Sequence, residues 1–225
     1  MDNQLDTKEI ALKYLPHFME DEKEPFPIQA VGYSIFTNGT KSQSCNRLLK
    51  WNKSNIQFVV EYAVFFDFDI QHLYDLEHVF VYVGVDGSIV DIELSFHGKF
   101  IRGMIDGITQ IEMESHPIVY MQPGKHAMVA SPEYFQLCIA LEESCNELSG
   151  ADGFLIAPMF ETTLCTDENI DKKVEQFIEQ NYTFTPSMKF KPSQFDTSML
   201  MPYDELEAFI IRRMNHWKDV ILNEQ

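Results

Sequence analysis

Two alternating runs constrain this chain most: EHVFVYV (77–83) and SIVDIELSFHG (88–98), joined by VDGS (85–88). Runs rich in β-branched and aromatic residues predict strands, and Asp86-Gly87 is a strong signal for a tight hairpin between them. Side chains alternate across a strand. Glu77, Val79, Val81 and Val83 therefore share one face, which Asp75 joins if the strand begins early. On the second run Val90, Ile92, Leu94 and Phe96 point one way, and Asp91, Glu93, Ser95 and His97 the other. Upstream, NIQFVVEYAVFFDFD (55–69) reads as a long strand, perhaps two, with imperfect alternation, as expected where both faces are covered. PIVYMQPGKHAMVA (117–130) predicts a second hairpin turning at Pro123-Gly124, with His126 at the start of the returning strand.

The flanks carry helical signals. Asp6 and Glu9 have capping-box spacing. Ile10, Tyr14 and Phe18 recur every four residues, predicting a helix over 6–20. Residues 21–27 form an acidic connector broken by Pro25 and Pro27, and 28–37 read as a strand. The segment 99–115, with Gly103 and Gly107, reads as a loop that covers the site, where Arg102 faces an anionic ligand. Beyond residue 130, Ser131 and Pro132 suit the start of a helix running to about Leu148. Residues 151–160 read as a strand, and helices follow at 167–180 and about 202–222. The expected fold is mainly β with flanking helices (α+β): a β-sandwich of antiparallel strands in a single domain, 1–225. Its core spans about 28–165, with the N-terminal helix 6–20 and a C-terminal helical elaboration over 166–225.

Five of the seven histidines fall between His72 and His126, interleaved with Asp75 and Glu77. Imidazole and carboxylate together suit a divalent ion such as Zn, Mn, Fe, Mg or Ca. The candidate metal ligands are His72, Asp75, Glu77 and His126, converging at one end of a sheet. Asp67, Asp69, His97 and His116 are candidates to orient those ligands or to meet a substrate. Glu77 and His97 are the candidate proton-moving groups if the metal is catalytic. His78 points away from Glu77 and reads as a structural histidine. A Ser–His–acid arrangement around Ser95 and His97 is the weaker alternative.

The segment H-x-x-D-x-E (His72, Asp75, Glu77), followed by a strand, an HG pair (97–98) and an HA pair (126–127), resembles the necrosis-inducing protein (NPP1)/Vps62-like superfamily. Members carry a G-H-R-H-D-W-E signature, and this chain reads Q-H-L-Y-D-L-E at the matching place. Gln71 stands for the glycine, Tyr74 for the second histidine and Leu76 for the tryptophan. The opening ALKYLPHF…EPFP (11–27) and the segment HPIVYMQPGKHA (116–127) are similar as well, so the likeness covers about residues 8–130. It implies a β-sandwich and one metal held by His72, Asp75 and Glu77, with His97 and His126 near the site.

The formal net charge of −18 over 225 residues argues against a nucleic-acid backbone or an anionic membrane surface as partner. No run is long and apolar enough to span a bilayer. The opening MDNQLDTKEI lacks the apolar segment of a signal peptide, so a cytoplasmic location is expected. The four cysteines form no C-x-x-C pair and read as reduced structural thiols. Phosphate-loop, dinucleotide-binding and G-x-S-x-G patterns are absent. Two functions fit: a metal-binding protein that engages a small-molecule ligand, anionic, carbohydrate or lipid-headgroup, or a metal-dependent hydrolase using metal-activated water. The oligomeric state is open.

Overall fold

The computed structural model describes residues 6–223. In chain order, helix α1 (Thr7–Lys13) leads into β1 (His17–Asp21), β2 (Ala30–Phe36), β3 (Thr40–Lys41) and β4 (Leu48–Leu49). The long strands β5 (Ile56–Phe68) and β6 (Leu73–Gly84) follow, then β7 (Ile89–Phe96), β8 (Lys99–Arg102), β9 (Ile111–Glu112), β10 (His116–Met121) and β11 (Met128–Val129). The last third holds a short helix α2 (Leu141–Ser144), α3 (Glu168–Tyr182), β12 (Phe190–Pro192), β13 (Leu200–Pro202) and α4 (Tyr203–Asn223).

One large sheet runs β13-β2-β5-β6-β7-β8, the other β11-β10-β1-β12 with β9 added to β10, and β3 and β4 pair as a separate two-stranded ribbon. The expected mainly-β α+β class is what forms, but the sheets are mixed rather than wholly antiparallel. β1 pairs with β10 in parallel, and β13 does so with β2. The core between the sheets joins Val60, Tyr62, Val64, Val79, Val81, Ile92 and Leu94 to Phe18, Val119, Met121 and Met128. The opposite face of β5 is buried as well, under α3 and α4, through Ala63, Phe65, Phe68, Val174, Leu206, Ile210 and Met214. This double burial explains the continuous apolar run of β5, in which neither face reaches water along most of its length.

The Asp86-Gly87 hairpin forms, with Gly87 at φ 81° and the Asp86 carboxylate accepting from the Ser88 amide at 3.0 Å. A register shift between Tyr82 and Val83 breaks the simple alternation expected of 88–98. Ile89 thereby joins Ile92 in the inter-sheet core, while Val90 packs with Phe80 and Tyr82 on the other face. One extra residue in a strand reverses every side chain before it.

Three expected elements differ. The N-terminal helix over 6–20 is shorter: it ends at Lys13, and residues 17–21 are β1 instead. Pro16 disfavours helical backbone at Leu15, and HFMED finds partners on both sides, in β10 and β12. The helix expected from Ser131 to Leu148 is a 3-10 turn at 132–137 followed by one turn of α2. Cys138 is extended and Ala140 left-handed, while Leu137 and Ile139 are 78% and 97% exposed. Phe135 and Cys145 are buried, but the apolar residues between them at 137 and 139 meet no core, so a continuous helix would gain little. The strand expected at 151–160 is a turn and a 3-10 segment, whose sheet-like contact is the bridge between His72 and Gly153. The C-terminal third is also not purely helical, since β12 and β13 enter the two sheets. The sheets therefore reach outside 28–165 at both ends. Three-residue strands ending in proline carry too little pattern to be seen in advance.

Candidate metal centre and cleft

The β5–β6 hairpin turns through residues 69–72 at one end of the long sheet. Asp69 shapes that turn: its amide donates to the His72 carbonyl at 2.9 Å, and its Oδ1 accepts from the Gln71 amide at 2.7 Å. Asp75 and Glu77 follow on β6, on the core-facing side, as the alternation requires. The β10–β11 turn comes up against this hairpin end. The Gly124 carbonyl accepts from the Ile70 amide at 2.7 Å, and the Gly124 amide donates to Glu24 Oε2 at 2.8 Å. A Cβ at Gly124 would stand 3.0 Å from Ile70, and its φ is +69°. Glycine thus allows both the turn and the close approach.

His126 lies two residues past Gly124, fully buried and stacked flat on Phe66 at 3.7 Å between ring centroids. It precedes β11 instead of starting it, with a left-handed backbone at φ 53°. Its Nδ1 is 3.1 Å from Asp75 Oδ2, and its Nε2 is 3.5 Å from Glu24 Oε1 without forming a hydrogen bond. Burial alone would lower the imidazole pKa, but the carboxylates of Asp75 and Glu24 outweigh it and hold the pKa at about 10. Glu77, buried beside Asp75 and hydrogen-bonded to Ser95, is pushed well above the usual carboxylate range by desolvation and then by the charge of Asp75.

Ligand atoms from Asp69, Asp75 and His126 lie within 4.8 Å of one another. Two carboxylates and an imidazole are a donor set for a divalent ion; His126 Nε2 itself is buried with the Glu24 carboxylate as its neighbour and makes no hydrogen bond. His72 stands at the edge of the group. Its Nδ1 lies 2.7 Å from the Tyr74 carbonyl, which can only accept, so the proton sits on Nδ1. The lone pair of neutral His72 is then on Nε2, 3.8 Å from Asp69 Oδ2.

The other candidates are placed as follows. Asp69, expected to orient ligands, is in the ligand group itself. Asp67 is turned away and pairs with Arg213 of α4. His116 is remote: it stacks on His17 at 4.8 Å and bonds the Leu15 carbonyl. His97 bonds Gln122 Oε1 at 2.9 Å. Ser95 bonds Glu77 and the His78 amide, so Ser95 and His97 do not form a Ser–His pair. His78 is on the opposite face, bonded to Ser44, and burial lowers its pKa to about 4. Glu24 was not legible as a site residue. It sits in an acidic connector and reaches the site only because residues 21–29 pass beside the β10–β11 turn.

A cleft of about 680 Å³ opens beside this cluster. Its polar side includes Gln71, His97, Gln122 and Lys125, and Phe96, Ile101 and Tyr134 give it apolar wall. Arg102, from the segment expected to cover the site, is also on the wall. Lys125 links the two regions, since it lines the cleft while its Nζ lies 3.0 Å from Asp69 Oδ1.

The fold and site are those of a mixed-sheet α+β protein with an acid–imidazole cluster beside an open cleft. No protein-family model and no curated protein matches the chain. Solved structures do resemble it. A triple mutant of NLPPya is 14% identical with a TM-score of 0.34, the match covering 65% of this chain and 81% of that one. NLPPya in complex with glucosamine (14%, TM-score 0.32) and with mannosamine (13%, TM-score 0.34) match over the same shares. Each of these alignments spans about two thirds of this chain. Among the described residues, no helix is long and apolar enough to cross a membrane.

Proposed function

We propose that this is a divalent-metal-binding protein whose ion, held by Asp69, Asp75 and His126 with His72 at its margin, engages an anionic or sugar-bearing small molecule in the adjoining cleft. The observation that carries this reading is the shared position of Lys125, in contact with Asp69 and on the cleft wall. An ion at the cluster and a ligand in the cleft are therefore neighbours. Lys125 and Arg102 supply positive charge to an anionic ligand, and Gln71, Gln122 and His97 supply hydrogen bonds to hydroxyls. The apolar wall suits the face of a sugar ring. When bound, the ion supplies Lewis acidity and a point of attachment for ligand oxygens.

Hydrolysis is the second reading, and His97 favours it. This imidazole lines the cleft with its orientation fixed by Gln122, so it can move a proton there. Glu77, buried and bonded to Ser95, is less suited to that task.

The test is metal content by elemental mass spectrometry on wild type and an Asp69→Asn/Asp75→Asn variant, followed by titration with glucosamine and with inorganic phosphate. The folded variant should hold one ion per chain fewer than wild type, and probe binding should require that ion. A variant that holds as much ion as wild type after dialysis against Zn, Mn, Fe, Mg and Ca would overturn the reading.

A further inference from the structure

A second donor cluster lies on the opposite face of the long sheet. Glu61 on β5 and His78 on β6 project there, and the loop between β3 and β4 brings Cys45 over them. Ligand atoms of Cys45, Glu61 and His78 lie within 4.8 Å of one another. Glu61 is 1% exposed and His78 is 7% exposed, while Cys45 is half-buried.

The hydrogen bonds around Glu61 are lopsided. The hydroxyls of Ser42 and Ser44 both donate to Oε1, at 2.7 and 2.6 Å, and Cys45 Sγ lies 3.8 Å from the same atom. Oε2 is buried with no partner. A buried carboxylate oxygen without a donor is costly, and Ser42 and Ser44 hold the carboxylate as residues outside a metal's ligand shell commonly do. His78 Nε2 faces the same group, 2.9 Å from Ser44 Oγ. The nearby Arg47 is paired with Glu93 at 2.7 Å and lies over Phe80 and Phe100, and its charge also acts on Glu61 without a hydrogen bond to it.

We propose that Cys45, Glu61 and His78 form a second metal site, for a thiophilic divalent ion of the zinc class. A thiolate and a carboxylate cancel the charge of a dication, and the imidazole adds a neutral third ligand, so the filled site is uncharged, as burial demands. Thiolate sulfur selects zinc, cobalt or cadmium over magnesium and calcium. Ligand atoms around a tetrahedral zinc lie roughly 3.3–3.8 Å apart at ordinary bond lengths, so the cluster needs to close by roughly 1.5 Å at most. On binding, the Cys45 thiol forms the S–metal bond and its proton leaves to solvent. The partial exposure of Cys45 gives the ion its way in, and a water completes the shell. The ion would pin the β3–β4 loop onto β5 and β6. This site shares no residue with the acid–imidazole cluster and stands or falls separately.

The experiment is titration of the metal-stripped full chain with Co²⁺, following the thiolate-to-metal charge-transfer absorption. One equivalent of cobalt should raise the band, zinc should abolish it, and excess magnesium should leave it intact. Cys45→Ser should lose the band, whereas Asp69→Asn and Cys165→Ser should keep it. Absence of the band in wild type, or its survival in Cys45→Ser, overturns the proposal. Should Cys45→Ser not fold by circular dichroism, alkylation of the wild-type thiols mapped by peptide mass spectrometry decides instead. Protection of Cys45 by zinc supports the site, and an unchanged Cys45 labelling rate overturns it.

Discussion

Removing Asp75 from His126 has a consequence that can be worked out for the metal-free chain. His126 is fully buried with carboxylates facing both ring nitrogens, and its pKa rises from 6.5 to about 10. At about 1.36 kcal/mol per pH unit, this corresponds to roughly 5 kcal/mol of preference for the imidazolium in the folded state. The sign follows from the raised value. The stabilisation is fully present below about pH 6.5, where the unfolded histidine is also protonated, and is lost as pH rises through about 10. Glu77, also raised, acts in the same direction, since its carboxyl must ionise as pH rises. Wild type held in chelator should therefore lose about 5 kcal/mol of stability between pH 6.5 and 10 through His126. Asp75→Asn removes one of the two carboxylates, so its loss over the same range should be about half as large. The assay is urea denaturation by circular dichroism at closely spaced pH values, both proteins in chelator. A wild-type stability that stays flat from pH 7 to 10 would refute the reasoning, because His126 would then be neutral in the fold. The same linkage predicts that metal uptake near pH 8 displaces the imidazole proton, measurable by calorimetry in buffers of different ionisation enthalpy.

The remaining predictions test what surrounds the site. Arg213→Met breaks the half-buried pair with Asp67 and should cost about 1–2 kcal/mol in denaturant unfolding, with metal content unchanged; a loss of metal would place Asp67 in the site after all. Gly150→Ala should cost about 2 kcal/mol or more in thermal unfolding, because Gly150 is left-handed and an added Cβ would stand 2.4 Å from the Glu175 carbonyl oxygen; an unchanged Tm would show that the contact relaxes. Tyr74→Phe should cost about 1–2 kcal/mol without affecting metal content, since the Tyr74 hydroxyl accepts from the Ala157 amide at 2.9 Å and the ring packs beside Phe154 and Phe160.

Asp75 and Glu77 were legible as members of one face because β6 is long and its alternation clean. His78 was legible as a structural histidine for the same reason. Asp69 and His126 were legible only in part. Their residue types and nearness to turns were visible, but the meeting of two turns from separate hairpins was not. The backbone supplied a clue that sequence does not carry: His97 and His126 both have left-handed φ, at 48° and 53°, and such strain gathers at functional sites. Glu24 and Asp67 mark the limit from the two sides. Both are acidic, but Asp67 stands two residues before Asp69 and Glu24 forty-five before it. The path of the connector turns Glu24 inward, and Arg213, 146 residues away, holds Asp67 outward.

By itself the sequence determined the long strands, the Asp86-Gly87 hairpin, the Pro123-Gly124 turn and the helices α3 and α4. It also determined the sheet face that carries the acidic residues. These features repeat with a period of two or 3.6 residues, or use glycine where backbone geometry demands it, so local chemistry suffices. Tertiary structure decided the parallel pairing of β1 with β10 and the capture of β12 and β13 as short strands. It also decided the loss of the helix over 131–148, and the meeting of Asp69, Asp75 and His126 in one cluster. Each of these depends on what lies opposite a residue across tens or hundreds of positions of chain. No periodicity within a segment records whether a distant partner will be there to bury its apolar face or match its charge.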